Sequence, residues 1–341
     1  MVALVSHTKH YFVLKEGHIA KLTKDEIIVK DENGEVYGPY IHHISWDMAS
    51  AKKGGYDYFM MKEIHEQPKA VRDTLNSILH DGVIDLQTMG LTEEEMRDTQ
   101  QIYMIGCGSA YHVGVAAQYT VEDLAQIPVR VELASEFRYR RLLVGEKTLV
   151  VIISQSGETA DSLAALRAAK EHGAKTLAIV NVVGSSIARE ADHVLYTLAG
   201  PEIAVATTKA YSTQLAATYV LALAFAQARG TVTEEEFGKL TAELATIPEK
   251  IEKLLEHKER IQWFASKRAN MEHAFFIGRG LDYAAGLEGS LKMKEISYIH
   301  SEAYPAGELK HGTISLIEED TLVVGLLTQQ ALYEKTLSNL L

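Results

Sequence analysis

Thr148-Leu149-Val150-Val151-Ile152-Ile153-Ser154-Gln155-Ser156-Gly157-Glu158-Thr159 passes from an unbroken apolar run into a cluster of hydroxyls. A helical pattern, Ala160 to His172, starts directly behind it. A strand that ends in small polar residues at a helix start brings hydroxyls, free backbone N–H groups and the positive end of a helix onto one anion. The stretch predicts an α/β fold with a phosphate cradle, and so a phosphorylated small molecule as ligand.

Outward from this point, strands and helices alternate from Gln101 onward. Ile102–Ile105, Val129–Leu133, Thr148–Ile153, Thr176–Val180 and His193–Thr197 read as strands. Tyr111–Leu124, Ala160–His172, Ser185–Glu190 and Thr208–Arg229 read as helices. Five strands with helices between them imply a doubly wound parallel sheet, with ligands at the carboxyl ends of its strands. Residues 99–231 form this unit. Before it, residues 1–60 read as strands and turns: Tyr11–Leu14, Ile27–Val29 and Val36–Tyr37 are apolar, with turns at Glu16-Gly17 and Asn33-Gly34. That set is too small for a core of its own. Residues 61–98 read as a helical linker, broken near Pro68 and at Asp81-Gly82. Residues 232–341 hold charged connecting helices and a second α/β unit.

The second unit repeats the first. Ile105-Gly106-Cys107-Gly108 recurs 172 positions later as Ile277-Gly278-Arg279-Gly280, and Tyr111, Gly114, Ala134 and Glu136 recur as Tyr283, Gly286, Ala306 and Glu308. Thr148-Leu149-Val150-Val151 recurs as Thr321-Leu322-Val323-Val324. A near-constant offset points to duplication. The second copy reaches only about two strands, so a longer natural protein is expected. Where the first copy has Ser154-Gln155-Ser156-Gly157, the second has Leu327-Thr328-Gln329-Gln330, so the phosphate is expected in the first.

Composition narrows the class of function. A net charge of −12 over 341 residues argues against a nucleic-acid or membrane surface, while leaving room for a local basic pocket. The most apolar stretch, 215–228, falls short of the ~20 residues of a membrane span. The one cysteine, Cys107, makes no internal disulfide, and no secretion signal opens the chain, which fits the cytoplasm. His42-His43 and His300…His311 lack metal-ligand spacing, so no metal is expected.

Ser154, Gln155, Ser156 and Thr159 are the phosphate candidates. Capping a helix needs one hydroxyl, not four polar groups. Gly108 and Ser109 sit on a glycine turn that lets backbone approach a ligand. The turn is not G-x-G-x-x-G, which disfavours a dinucleotide. Thr207 and Thr208 open another helix, as ligand contacts or as a cap. Lys292, Glu295 and His311 are the acid–base candidates. Lys292 and Glu295 share a helix face, where a carboxylate can shuttle a proton between adjacent carbons while a cation steadies the enediolate. A surface ion pair is the simpler alternative, but a dense polar segment follows: His300, Glu302, Glu308, Lys310 and His311.

Ser154–Asp161, Lys294–His300 and Gly307–Gly312 resemble signatures of the isomerase half of the glutamine–fructose-6-phosphate aminotransferase family. Ala134–Tyr139 and Lys62–Pro68 are similar to family segments too. The resemblance covers essentially the whole chain. It implies two flavodoxin-like sugar-isomerase (SIS) domains of five strands, the second incomplete, preceded by the β-rich end of an Ntn-type glutaminase domain. It implies conversion of fructose 6-phosphate to glucosamine 6-phosphate with glutamine-derived ammonia, without metal or cofactor, in a homodimer. Ser154, Gln155, Ser156, Thr159 and Thr207 would bind the sugar phosphate. Glu295 would move the proton between C1 and C2, Lys292 would assist, and His311, from the other protomer, would open the ring. Departures are Val2 where the glutaminase nucleophile is a cysteine, the missing tail with its imine-forming lysine, Ser109-Ala110 for Thr-Ser, Thr207 for serine and Thr313 for proline. This chain is therefore not expected to hydrolyse glutamine. A non-catalytic sugar-phosphate-binding module and a related SIS deglycase or isomerase are the alternatives; the Lys62–Pro68 segment and β-rich start speak against the latter.

Overall fold

The computed structural model describes residues 5, 7–44, 52–319 and 321–341; Val2 lies outside them. The chain divides into two compact units, Met1–Phe59 and Met60–Leu341. In the first, Ile19–Leu22, Ile27–Lys30 and Val36–Tyr37 form an antiparallel sheet, and His10–Tyr11 pairs with His42–His43. The expected strand Tyr11–Leu14 is shorter than its apolar run, and the strand Ile19–Leu22 was not anticipated. Gly34 turns the hairpin with φ +84°, and Asp31 Oδ1 accepts from the N–H groups of Asn33 and Glu35 at 2.9 Å. Ile19, Leu22, Ile27 and Val36 stand exposed, as expected of a sheet too small to bury its own apolar faces.

All but the first residue of helix α1 (Phe59–Asn76) belongs to the second unit. Pro68 does not break it, contrary to the reading of the sequence. A proline leaves the carbonyl four residues earlier without its donor. Here that carbonyl, Ile64 O, accepts from the Gln67 side-chain amide at 3.1 Å. Asp81-Gly82 does mark an interruption, the tip of a hairpin between Leu79–His80 and Val83–Ile84.

The central sheet comprises β1 (Gln101–Gly106), β2 (Val129–Leu133), β3 (Thr148–Ser154), β4 (Lys175–Val180) and β5 (His193–Tyr196), all parallel in the order β2-β1-β3-β4-β5. It is doubly wound, as expected. Helices α2 (Ser109–Ala125) and α4 (Lys209–Arg229) cover one face, and α3 (Ala160–Glu171) the other. Strand alternation sorts the core. Leu149, Val151 and Ile153 join the cluster under α2 and α4, while Val150 and Ile152 join the cluster under α3. Every residue of β3 is buried, the pattern of a central parallel strand.

The duplication is visible in the backbone. Strands β6 (His273–Gly278), β7 (His300–Pro305) and β8 (Leu322–Gly325) pair in the order β7-β6-β8, which repeats β2-β1-β3. Helix α5 (Leu281–Ser297) matches α2 to the residue. Their N-caps, Gly108 and Gly280, have φ/ψ of 55°/−127° and 54°/−124°. Their C-caps, Gln126 and Tyr298, are both left-handed at φ 50° and 60°. Among the described residues the second sheet has three strands, and no helix is long and apolar enough to cross a membrane.

At the lower edge of the first sheet, Glu95 closes a capping box with Thr92 and meets Lys175 at 3.1 Å. Burial alone would raise its carboxyl. The Thr92 N–H, the Lys175 ammonium, the Thr92 hydroxyl and His193 outweigh that and hold it at about 2, below the ordinary 4.5. A carboxyl depressed in the folded state contributes stability above its unfolded value and loses it as pH falls toward the folded one. The melting-temperature deficit of Glu95→Gln is therefore expected to be full near neutral pH and to shrink between about 4.5 and about 2. A deficit that does not change with pH would rule out the charge as its source.

Candidate active site

Beyond the carboxyl end of β3 the chain cannot continue as a strand. Gly157 turns it at φ +65°, and a Cβ there would lie 2.0 Å from Ser185 Oγ. The turn is held from both sides. Ser154 Oγ accepts from Gly157 N at 3.0 Å and lies 3.3 Å from Thr159 Oγ1. Ser156 Oγ accepts from Glu158 N at 3.2 Å. Asn181 N donates to Gln155 O and Ile187 N to Gly157 O, and Glu158 Oε1 accepts from Ser186 N. Thr159, the N-cap of α3, makes no side-chain capping bond. Ser156 therefore does not cap the helix, and the first turn of α3 keeps N–H groups for an anion.

Three helix N-termini meet around a cavity of about 380 Å³. The turn before α2 contributes Gly108 and Ser109, the β3–α3 loop contributes Ser154, Gln155, Ser156 and Thr159, and the segment before α4 contributes Glu202, Val205 and Thr207. Gly108, like Thr159, offers no side-chain cap. The α4 end differs. Glu202 accepts there from Thr208 N at 2.8 Å, Ala210 N at 3.3 Å and the Thr207 hydroxyl at 2.7 Å. A carboxylate already complements that terminus, so the open positive ends are those of α2 and α3.

The second copy supplies the remaining wall. Lys292 and Glu295, both on α5, line the cavity, with Lys292 Nζ 2.5 Å from Glu295 Oε2. Lys292 also donates to Ser109 Oγ at 3.2 Å and lies 3.4 Å from Glu288. Glu288 is buried; it accepts from Ser109 Oγ at 2.8 Å and lies 2.8 Å from His112 Nδ1. Burial, the Glu288 carboxylate and Tyr219 push the nearby Tyr211 phenol above its ordinary range. Nine of the ten site residues expected from the sequence thus share one cavity. His311 is the exception: it is exposed and does not line it. Cys107 lines the cavity with Sγ 3.8 Å from Ser162 Oγ. The sequence reading missed Glu202 and Glu288. Glu288 had a signal, since 288, 292 and 295 fall on one helix face. Among the described residues no cluster of His, Cys, Asp or Glu could hold a metal ion.

Two flavodoxin-like sheets in tandem, with hydroxyls and uncapped helix ends at the carboxyl edge of the first, define a SIS-domain protein. The family model described as SIS domain matches residues 95–224 and 269–340. The chain is 54% identical over 339 residues to glutamine–fructose-6-phosphate aminotransferase [isomerizing] of Clostridium tetani, covering 99% of this chain and 56% of that protein. It is 52% identical to the enzyme of that name from Caldanaerobacter subterraneus, with the same coverage. The solved C-terminal domain of glucosamine-fructose-6-phosphate aminotransferase from Francisella tularensis superposes with a TM-score of 0.82 at 43% identity, covering 85% of this chain and 81% of that one. This chain belongs to the glutamine–fructose-6-phosphate aminotransferase family, and it spans little more than half the length of the curated relatives it matches.

Gly157→Ala combines a disfavoured φ with a clash against Ser185, so it is expected to lower stability by about 1–3 kcal/mol. The urea midpoint reads this; an unmoved midpoint would mean that the loop relaxes freely.

Proposed function

We propose that this chain is the isomerase portion of a glutamine–fructose-6-phosphate aminotransferase of hexosamine biosynthesis, converting fructose 6-phosphate to glucosamine 6-phosphate with glutamine-derived ammonia. One observation carries the reading: the uncapped, hydroxyl-rich start of α3 opens into the same cavity as the Lys292–Glu295 pair. In this reading residues 1–60 are the end of a glutaminase domain, 61–98 a linker, 99–231 the first SIS domain, and 232–341 connecting helices with part of the second.

The phosphate enters the first turn of α3, where backbone N–H groups and the hydroxyls of Ser154, Ser156 and Thr159 can complete its oxygens. Thus anchored, the C1–C2 end of the open sugar extends toward α5. Glu295 takes the proton from one carbon and returns it to the other. Lys292, a hydrogen bond away, stabilises the oxyanion of the enediolate. Glu202 and Thr207 wall the cavity and leave the anion to α3. His311, exposed and outside the cavity lining of its own chain, suits a homodimer in which it serves the partner's site. The unpaired thiol and the sugar-phosphate substrate fit a cytoplasmic enzyme.

The test is isotope exchange. Wild-type chain in D₂O is expected to place deuterium at C1 of fructose 6-phosphate or at C2 of the aldose formed from it, and Glu295→Gln to abolish exchange while sugar-phosphate affinity stays within about threefold. Loss of exchange and affinity together would make Glu295 structural. Ser156→Ala is expected to weaken glucosamine 6-phosphate binding by about 1–2 kcal/mol in calorimetry, the scale of one hydrogen bond to a charged group. Unaltered affinity would move the phosphate elsewhere.

A further inference from the structure

The cavity wall between Glu202 and Thr208 has no helix or strand to hold it. Its backbone donors instead reach two carboxylates. Glu202 takes those of Thr208 and Ala210. Glu63, on α1, takes those of Ile203 at 2.6 Å and Ala204 at 3.2 Å. Glu63 is 1% exposed, and its second oxygen, Oε2, is enclosed without a hydrogen-bond partner. Burial raises its carboxyl above the ordinary range; the two N–H groups and Lys209 pull it down, and Glu202 adds repulsion. The same stretch of α1 grips the start of α4. Lys209 Nζ lies 2.7 Å from Glu66, which also meets Lys62 at 3.2 Å, and Ser212 donates to Gln67 at 2.5 Å.

An enclosed carboxylate oxygen with no donor opposes folding, so the geometry that the other oxygen maintains has to matter elsewhere. What it maintains is the backbone at Ala204, which lines the cavity beside the fully exposed Val205. We infer that Glu63 is a positioning residue: it fixes the Glu202–Thr208 wall from behind and thereby sets affinity for the sugar, without touching it. This rests on reading the cavity as a sugar-phosphate site.

Two measurements on the full chain separate the two ideas. Glu63→Gln keeps an acceptor for both N–H groups, and Glu63→Ala removes it. Amide hydrogen exchange at Ile203 and Ala204 is expected to quicken about tenfold or more in Glu63→Ala, to stay near wild type in Glu63→Gln, and to remain unchanged in the α4 core in both. Glucosamine 6-phosphate affinity by calorimetry is expected to fall about tenfold in Glu63→Ala and to be restored within about threefold in Glu63→Gln. Equal exchange at Ile203 and Ala204 in wild type and Glu63→Ala overturns the positioning role. Faster exchange with unaltered affinity overturns its link to the sugar. Failure of the wild type to bind sinks the sugar-phosphate reading, and with it that link, while exchange still decides the positioning. Should Glu63→Ala not fold, Glu63→Asp, whose shorter side chain withdraws the carboxylate, is held to the same outcomes.

Discussion

Glu288 ties the two copies of the duplicated fold together at the point where they share a site. It projects from α5 into the contact with α2, almost out of solvent, and meets Ser109, His112 and Lys292. A buried carboxylate is tolerated only when its oxygens are answered by donors or cations. Here the donors come from the first copy and the cation from the second. The bond that satisfies Glu288 therefore also fixes Lys292 within 3.2 Å of Ser109 on the cavity wall. Glu295, one turn further along α5, inherits its position from that register.

Uncapped helix ends keep a local positive field in a protein of strongly negative charge, because distant surface charges are screened within about 10 Å. Three helix ends converge, but they are not equivalent. The ends of α2 and α3 lack side-chain caps, and the end of α4 is complemented by Glu202. Glu66 plays a comparable part for Lys209, which is buried beside the cavity wall. The positive potential is thus concentrated at the hydroxyl loop.

The parts of this arrangement that the sequence reveals are local ones. The apolar run of β3 and the hydroxyls behind it lie in one segment, and the offset between Ile105 and Ile277 needs only counting. Pro68 misled because its repair depends on the Gln67 side chain folding back to Ile64 O, which no spacing announces. Glu63 and the N–H groups of Ile203 and Ala204 are remote in sequence and meet only through the packing of α1 against the loop before α4. The strand Ile19–Leu22 escaped notice because its alternation is weak and its apolar side chains remain exposed. His311 is exposed and outside the cavity lining, and its place is set by the chain between Ser297 and Gly312, which no spacing announces.

In the second copy the loop that corresponds to the hydroxyl loop of the first is closed by bonds within the protein. Ala110 in the first turn of α2 corresponds to Asp282 in α5, given the common offset. Asp282 is buried, and it accepts from both the backbone N–H and the hydroxyl of Thr328 on the loop that follows β8. Gln329 of that loop donates to Arg279 O in the glycine turn. The groups that would receive an anion are thus bonded to the protein itself, and the incoming charge would face a buried carboxylate. Helix α5 instead presents Lys292 and Glu295 to the cavity at the carboxyl edge of the first sheet.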